Sequence, residues 1–267
     1  MPRLNANLSM MFSEVEFAAR FDAAATAGFK GVEFFFPYAL EMDLLQESLN
    51  RNSLELVLFN MPPGDWSEGE RGLACDPARR GEFQDSVGKA LDYAQGLSCR
   101  QLHCMAGLKP RGMTGERMRQ TYIDNLRFAG RALAKHDITL LIEAINTRDM
   151  PGFYLNTSAQ AFAIMNDAEV PNLRFQYDIY HMQIMEGDLA PTIEQNLARI
   201  GHMQLADTPG RHEPGTGEVN YPFLLDFIDR LGYQGWIGCE YRPATTTHDG
   251  LGWAAPYLQP VYRERTR

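Results

Sequence analysis

Four residues that can bind a metal ion each stand at the end of a short apolar run. They are Glu143 after LLI, Asp178 after FQY, Gln204 after HM and Glu240 after IGC. The intervals between them are 35, 26 and 36 residues, about the length of one strand and one return helix. Because the carboxyl ends of successive parallel strands emerge on one face, this spacing predicts that the four side chains converge.

Three of these four residues carry carboxylates, which would repel one another and resist ionisation unless a cation or protons neutralised them. All four offer oxygen atoms and none is His or Cys, so we predict Mg²⁺ or Mn²⁺ rather than a structural zinc ion. Four side chains leave positions in an octahedral shell for water or substrate, which indicates a catalytic metal. We further predict that Glu143 and Glu240 flank the substrate as acid and base.

Five other residues are predicted to bind the substrate at the same face. His103 ends a predicted strand, His181 follows one by three residues, and Arg211 stands in the loop after another. The planar fork of donors on Arg211 suits a substrate carboxylate, and Arg71 and Lys109 are weaker candidates of the same kind. The alternatives are histidines buried against the backbone and an arginine on a surface loop.

Apolar segments alternate with helical patterns along the chain. Most of the apolar segments are continuous, which is typical of parallel strands covered by helices on both faces. Eight such units favour an α/β fold that closes into a single (β/α)8 barrel. The predicted strands are 4–10, 31–36, 54–60, 100–105, 138–144, 173–178, 200–205 and 235–240, and the predicted helices lie near 16–28, 41–51, 82–96, 114–135, 157–167, 188–198 and 221–231.

No linker or charge run marks a second domain, so residues 1–267 are predicted to form one TIM-barrel domain. Residues 244–267 are predicted to add an extra C-terminal helix and a loose basic end, RERTR. The segment 61–81 is rich in Gly and Pro and too long for a plain connection, and we predict that it is a lid over the substrate. The alternative is an ordered excursion packed on a neighbouring element.

Composition excludes several classes of protein. The net charge of −9, with no block of Lys and Arg, argues against a nucleic-acid partner. No long apolar stretch and no signal-peptide pattern occur, which predicts a soluble, cytoplasmic protein with no membrane contact. The four cysteines form no CxxC pair and are expected to be reduced thiols. The sequence leaves open whether the protein forms a homo-oligomer.

Long strings of the sequence resemble the hydroxypyruvate isomerase family, within the xylose-isomerase-like (sugar phosphate isomerase/epimerase) group of barrels. The strings cover nearly the whole chain and include NANLSMMF, FKGVEFFFPY, PPGDWSEGERGLAC, IEAINTRDMPGFYL, QYDIYHMQIMEGDL, QLADTPGRHEPGTGEVNY and GYQGWIGCEYRP. The resemblance implies a metal set of Glu143, Asp178, Gln204 and Glu240, with the two glutamates also moving the proton. The wider group often has His at the third position, and Gln204 there agrees with the hydroxypyruvate isomerase branch.

The resemblance also implies a small hydroxy-oxo acid as substrate. The implied reaction is the reversible conversion of hydroxypyruvate to 2-hydroxy-3-oxopropanoate (tartronate semialdehyde). A 2-oxo-tetronate isomerase, with a substrate one carbon longer, resembles the chain in the same N-terminal and C-terminal strings, whereas EAINTRDMPGFYLNTS and YDIYHMQIMEGDL look more like the hydroxypyruvate branch. A sugar 3-epimerase is a third alternative. From other classes, a metal-dependent endonuclease would require several His ligands and a basic face, and a non-catalytic metal-binding barrel would keep the carboxylates.

Overall fold

Eight parallel strands close into a barrel in the order β1 to β8, with β1 paired to β8. The structure is a computed structural model and describes residues 1–258. The (β/α)8 fold predicted from the sequence is confirmed. The strands are β1 Arg3–Asn7, β2 Gly31–Phe34, β3 Glu55–Asn60, β4 Gln101–His103, β5 Thr139–Glu143, β6 Leu173–Asp178, β7 Ile200–Leu205 and β8 Trp236–Cys239.

Helices follow the strands and cover the outside of the barrel. They are α1 Phe17–Ala27, α2 Met42–Asn52, α3 Arg80–Gly96, α4 Gly115–Ala134, α5 Ser158–Ala168, α6 Ile179–Met185, α7 Leu189–Asn196 and α8 Tyr221–Arg230. Seven of them match predicted helices to within a few residues, whereas α6 was not predicted. The extra C-terminal helix is one short 3₁₀ segment, Asp249–Ala254, and the RERTR end lies outside the described residues.

The main apolar core lies between the strands and the helices, and a separate apolar group consists of Val57, Leu58, Leu141 and Trp236. All four cysteines are free and buried. Between Met1 and Leu258, no helix combines the length and apolar character needed to cross a membrane.

The sheet register brings the strand-end residues together. Asp178 on β6 pairs with Gln204 on β7, and Gln204 pairs with Gly238 on β8, two residues before Glu240. Glu143 ends β5 beside Gln176, which lies two residues before Asp178. Side chains two residues apart on a strand point to the same face. The four residues therefore share one end of the barrel.

Candidate active site

The centre of the site is a pair of buried carboxylates, Glu143 and Asp178, with His181 beside them. One ligand atom from each of these three residues lies within 4.8 Å of the other two, so the group could hold a metal ion. Oε1 of Glu143 and Oδ2 of Asp178 are buried and have no hydrogen-bond partner within residues 1–258. Buried polar atoms without partners are uncommon, and here two belong to residues of one group that could hold a metal ion.

Asp178 has a second role as the N-cap residue of α6. Its Oδ1 accepts hydrogen bonds from the backbone N–H groups of Tyr180, at 2.8 Å, and His181, at 3.4 Å. This is the usual N-cap contact of a carboxylate. The cap fixes the carboxyl group so that Oδ2 points into the site, and α6 carries His181 to the same place.

Glu240 lies on the other side of the site and is held by three donors. Its Oε1 accepts from a guanidinium nitrogen of Arg211 at 2.6 Å, and its Oε2 accepts from Asn7 at 3.0 Å and from the amide of Gln204. The same Arg211 nitrogen is 3.5 Å from Oδ2 of Asp178. Arg211 therefore bridges two of the predicted metal ligands.

Gln204 is close to these carboxylates but presents its nitrogen to them. Its Nε2 donates to Oε1 of Glu33, at 2.8 Å, and to Glu240. Its Oε1 accepts from Gln176 at 2.7 Å. A half-turn of the amide would exchange the two atoms. Coordination of a metal by Gln204 would require that half-turn.

Burial and mutual repulsion raise the pKa values of all three acids. Burial, followed by the charges of Glu240 and Asp178, raises the pKa of Glu143 well above its usual value. Burial raises the pKa of Asp178 to about 6 and that of Glu240 to about 8, although the charge of Arg211 opposes both shifts. Glu143 and Glu240 therefore retain protons at pH values where exposed carboxyl groups have lost them.

The two predicted histidines both face Glu143. Nε2 of His103 is 3.6 Å from Oε2 of Glu143, and Nε2 of His181 is 3.8 Å from Oε1. The other ring nitrogen of each contacts an amide, Asn60 for His103 at 3.1 Å and Asn146 for His181 at 2.7 Å. Burial lowers the pKa of His103 to about 3 and lowers that of His181 well below its usual value.

A cavity of about 750 Å³ opens onto these groups. Its wall includes Glu143, Glu240, His103, His181 and Arg211 from the barrel, and Trp66 and Arg71 from the segment 61–81. The guanidinium of Arg71 stacks on the Trp66 ring at 3.9 Å. Lys109 is exposed and is not among the residues that line the cavity. The structure thus brings together every predicted site residue except Lys109.

Sequence reasoning missed a buried polar network below the site. Glu33 on β2 is 1% exposed and accepts hydrogen bonds from Asn5 at 2.7 Å, Asn7 at 3.1 Å and Gln204 at 2.8 Å. Nε2 of His202 lies 2.8 Å from Oε2 of Glu33, the oxygen that also accepts from Asn5. Burial raises the pKa of Glu33, but His202 and the amides outweigh it and hold the pKa below its usual value.

A signal for this network was present in the strands. Polar residues recur two apart in NAN at 5–7, QYD at 176–178 and HMQ at 202–204, each within an apolar run. In strands that are buried on both faces, such alternation marks the side chains that point into the barrel. The partners of Glu33 come from β1 and β7, and the sequence does not show which of them meet.

The model of the xylose isomerase-like TIM barrel family matches residues 21–257. The chain belongs to this family. The match agrees with the closed barrel.

Proteins of known name match this family member over nearly their whole length. Hydroxypyruvate isomerase of Escherichia coli (strain K12) is 50% identical over 96% of this chain and 100% of its own length. 2-Oxo-tetronate isomerase of Cupriavidus necator is 51% identical over 97% of this chain and 99% of its own length. A crystal structure described as an AP endonuclease, family 2, from Brucella melitensis is 48% identical, covers 97% of this chain and 100% of its own, and superposes with a TM-score of 0.95. The two isomerases among these relatives show that the protein is an isomerase of the kind that acts on hydroxypyruvate or 2-oxo-tetronate.

Proposed function

We propose that the protein is a metal-dependent isomerase that interconverts hydroxypyruvate and 2-hydroxy-3-oxopropanoate. The observation that carries the proposal is a pair of buried carboxylate oxygens, on Glu143 and Asp178, that have no hydrogen-bond partner within residues 1–258, at a cavity lined by Glu143 and Glu240. The proposal also draws on the 50% identity to a protein of that name.

The donor set fits a divalent cation with a preference for oxygen. Glu143 and Asp178 would hold it through their unpartnered oxygens, Glu240 through a carboxylate oxygen, and Gln204 through its carbonyl oxygen after the half-turn. Carboxylate and amide oxygens favour Mg²⁺ or Mn²⁺. When bound, the cation supplies positive charge that polarises the substrate carbonyl and stabilises the negative charge that develops on the two substrate oxygens.

The chemical step needs two carboxyl groups that exchange protons near neutral pH. One glutamate removes a proton from the CH₂OH carbon of hydroxypyruvate, which gives an enediolate. The other returns a proton to the former carbonyl carbon, and the hydroxyl proton passes between the two oxygens. In the protein without metal, burial raises the pKa of both Glu143 and Glu240, so each carboxylate holds a proton more readily than an exposed one does.

The substrate carboxylate needs a cationic partner, because a three-carbon acid offers little other binding surface. Nε of Arg211 is buried without a partner in the described chain, although the other side of its guanidinium contacts Glu240 and Asp178. Arg71 lines the cavity from the segment 61–81. We assign the carboxylate to the space between these two arginines.

Two other activities compete with this proposal. A 2-oxo-tetronate isomerase is favoured equally by sequence identity, at 51%, and the cavity of about 750 Å³ has room for a fourth carbon. An endonuclease is suggested by the description of the Brucella structure, but a net charge of −9 opposes binding of a phosphate backbone.

The decisive experiment compares Glu143→Gln and Glu240→Gln with the wild type for turnover of hydroxypyruvate and for bound Mn²⁺. Loss of a positioned acid or base is expected to lower kcat by about 10²- to 10⁴-fold. Exposed Glu194 on α7 provides a matched control, Glu194→Gln, which should retain full activity. Unchanged turnover in both active-site variants would overturn the assignment, and bound metal with lost turnover would support proton transfer.

A second assay separates the substrates. The wild-type protein is supplied with hydroxypyruvate or 2-oxo-tetronate, each with Mg²⁺ or Mn²⁺. We expect the higher kcat/KM with hydroxypyruvate. A strong preference for the four-carbon acid would replace the named substrate but leave the roles of the glutamates in place.

A further inference from the structure

The ring of His181 can serve the site in two opposite ways. Its Nε2 lies 3.5 Å from Oδ2 of Asp178 and 3.8 Å from Oε1 of Glu143, which is why it falls within the group that could hold a metal ion. If Nε2 carries a lone pair, it can bind a metal. If it carries a proton, it can only donate a hydrogen bond. The role of His181 therefore depends on the position of one proton.

That position is set by Asn146, which is fully buried and contacts the far side of the ring. Nδ2 of Asn146 lies 2.7 Å from Nδ1 of His181. The orientation of this amide is fixed by two contacts with Asp149. Oδ1 of Asn146 accepts from the backbone N–H of Asp149 at 2.8 Å, and Nδ2 of Asn146 donates to Oδ2 of Asp149 at 3.2 Å.

These contacts admit only one assignment of the amide atoms. A backbone N–H can only donate and an ionised carboxylate can only accept, so the oxygen of Asn146 must face the former and the nitrogen the latter. The same nitrogen faces Nδ1 of His181. Nδ1 must therefore accept a hydrogen bond and carry no proton, which leaves the single ring proton of the neutral imidazole on Nε2.

We propose that Asn146 is a positioning residue that holds His181 as the Nε2–H tautomer, so that His181 donates a hydrogen bond into the cavity instead of binding a metal ion. The tautomer follows from the contacts of Asn146 alone. The acceptor, a substrate oxygen that gains negative charge, rests on the proposed function. A fixed donor aimed at such an oxygen stabilises it without reorganisation during the reaction.

His103 offers an internal comparison. Its Nδ1 faces Oδ1 of Asn60 at 3.1 Å, which is the opposite polarity of contact. Two histidines on the same carboxylate are thus predicted to have opposite tautomers, and both can be read in one spectrum.

The test is ¹⁵N NMR of the imidazole nitrogens in protein labelled at histidine, stripped of metal and free of substrate. The His181→Gln variant identifies the His181 signals by their loss. In the wild type we expect a protonated Nε2 and an unprotonated Nδ1. A protonated Nδ1 in the wild type would overturn the proposal.

A charge-conserving exchange of two side chains tests the cause. In the double variant Asn146→Asp with Asp149→Asn, the atom that faces Nδ1 becomes an acceptor, while the number of carboxylates is unchanged. We expect Nδ1 of His181 to become protonated in this variant and the His103 signals to keep their pattern. The matched control, Asp149→Asn alone, keeps the amide nitrogen of Asn146 on the ring and should show the wild-type pattern. An unprotonated Nδ1 in the double variant would contradict the proposal.

Isomerase activity provides a second test of the proposal. Relative to Asp149→Asn, the double variant is expected to lose about 10²-fold in kcat with hydroxypyruvate, the effect of removing one preorganised donor. Equal kcat in the two variants, together with a reversed tautomer, would overturn the donor role. The spectra need neither substrate nor metal, so failure of the proposed substrate would leave the tautomer result intact.

Discussion

At the residue scale, the site balances three buried carboxyl groups with one guanidinium. Arg211 contacts Glu240 at 2.6 Å and Asp178 at 3.5 Å, whereas the ion-pair contacts of Glu143 within residues 1–258 are with the rings of His103 and His181, at 3.6 and 3.8 Å. One positive charge cannot neutralise three negative charges, so protons or a cation must supply the remainder. Burial is the main reason that the pKa of Glu143 is raised well above its usual value, and the charges of Glu240 and Asp178 raise it further.

We expect the metal-stripped protein to lose stability as the pH rises from about 4.5 to about 8. Burial raises the pKa of Glu240 in the folded protein from 4.5 to about 8. The folded state therefore binds this proton more tightly than the unfolded state does, and its stabilising effect is complete below pH 4.5 and lost as the pH rises through 8. Calorimetry of the melting temperature in chelator across this range measures the effect.

The Glu240→Gln variant is the control for this prediction, because an amide cannot ionise. Its melting temperature should decline less steeply over the same interval, whatever its value at low pH. Added Mn²⁺ should also flatten the wild-type curve, since it replaces the protons. Parallel curves for variant and wild type would show that Glu240 does not titrate in this way.

The residue types of the site could be predicted from the sequence, but their pairing could not. Glu143, Asp178 and Glu240 follow apolar runs, and the rule for parallel strands is enough to bring them together. The orientation of the Gln204 amide depends on Glu33, which is 171 residues away in the chain. No local pattern records such a contact. The contact between Asn146 and His181 is hidden for the same reason.

At the element scale, the eight strands and seven of the eight α-helices within residues 1–258 followed their hydrophobic patterns, and α6 did not. Helix α6 has seven residues, too few to show a helical period, and it continues directly from β6. Its start is decided by the N-cap contact of Asp178, which the sequence analysis assigned to metal binding alone. One carboxyl group performs both tasks because each uses a different oxygen.

The segment 61–81 lines the cavity through Trp66 and Arg71. Trp66 is 38% exposed, packs on Phe36 with ring centroids 5.1 Å apart, and supports the guanidinium of Arg71. Backbone oxygens of Trp66 and Glu70 accept from one nitrogen of that guanidinium, at 3.1 and 2.7 Å. The segment thus holds a cation at the wall of the cavity, as a lid over an anionic substrate would require. Its closure stays a prediction.

We expect Arg71→Ala to raise KM for hydroxypyruvate by about 10-fold or more and to change kcat little. A hydrogen bond to a charged group contributes about 1.5–3 kcal/mol, and Arg71 is proposed to bind the substrate carboxylate, which does not react. Steady-state kinetics measure both constants. Arg80→Ala removes an exposed arginine that pairs with Asp124 near the end of the same segment, and it should leave KM unchanged. A fall in kcat at constant KM would contradict the assigned role.

At the scale of the whole molecule, the polar network inside the barrel joins the active site to the closure of the sheet. Glu33 on β2 contacts residues of β1 and β7, and Asn7 on β1 connects it to Glu240 beyond the end of β8. Strand β8 has glycine at position 238 because a Cβ atom there would lie 2.5 Å from the carboxylate oxygens of Glu33. The position of Glu240 therefore depends on a group that spans the seam between the first and last strands.

We expect Glu33→Ala to lower the free energy of unfolding by about 3 kcal/mol or more, because each buried donor left without a partner costs about 1–3 kcal/mol. His202 and three amide groups would lose their acceptor in the barrel interior. Urea unfolding measures the change, and Glu33→Gln, which keeps the shape of the side chain, should cost less. The exposed pair of Asp226 and Arg230 on α8 provides the control, since Asp226→Ala should cost at most about 0.5 kcal/mol. Equal losses in Glu33→Ala and Asp226→Ala would mean that the network does not stabilise the closed barrel.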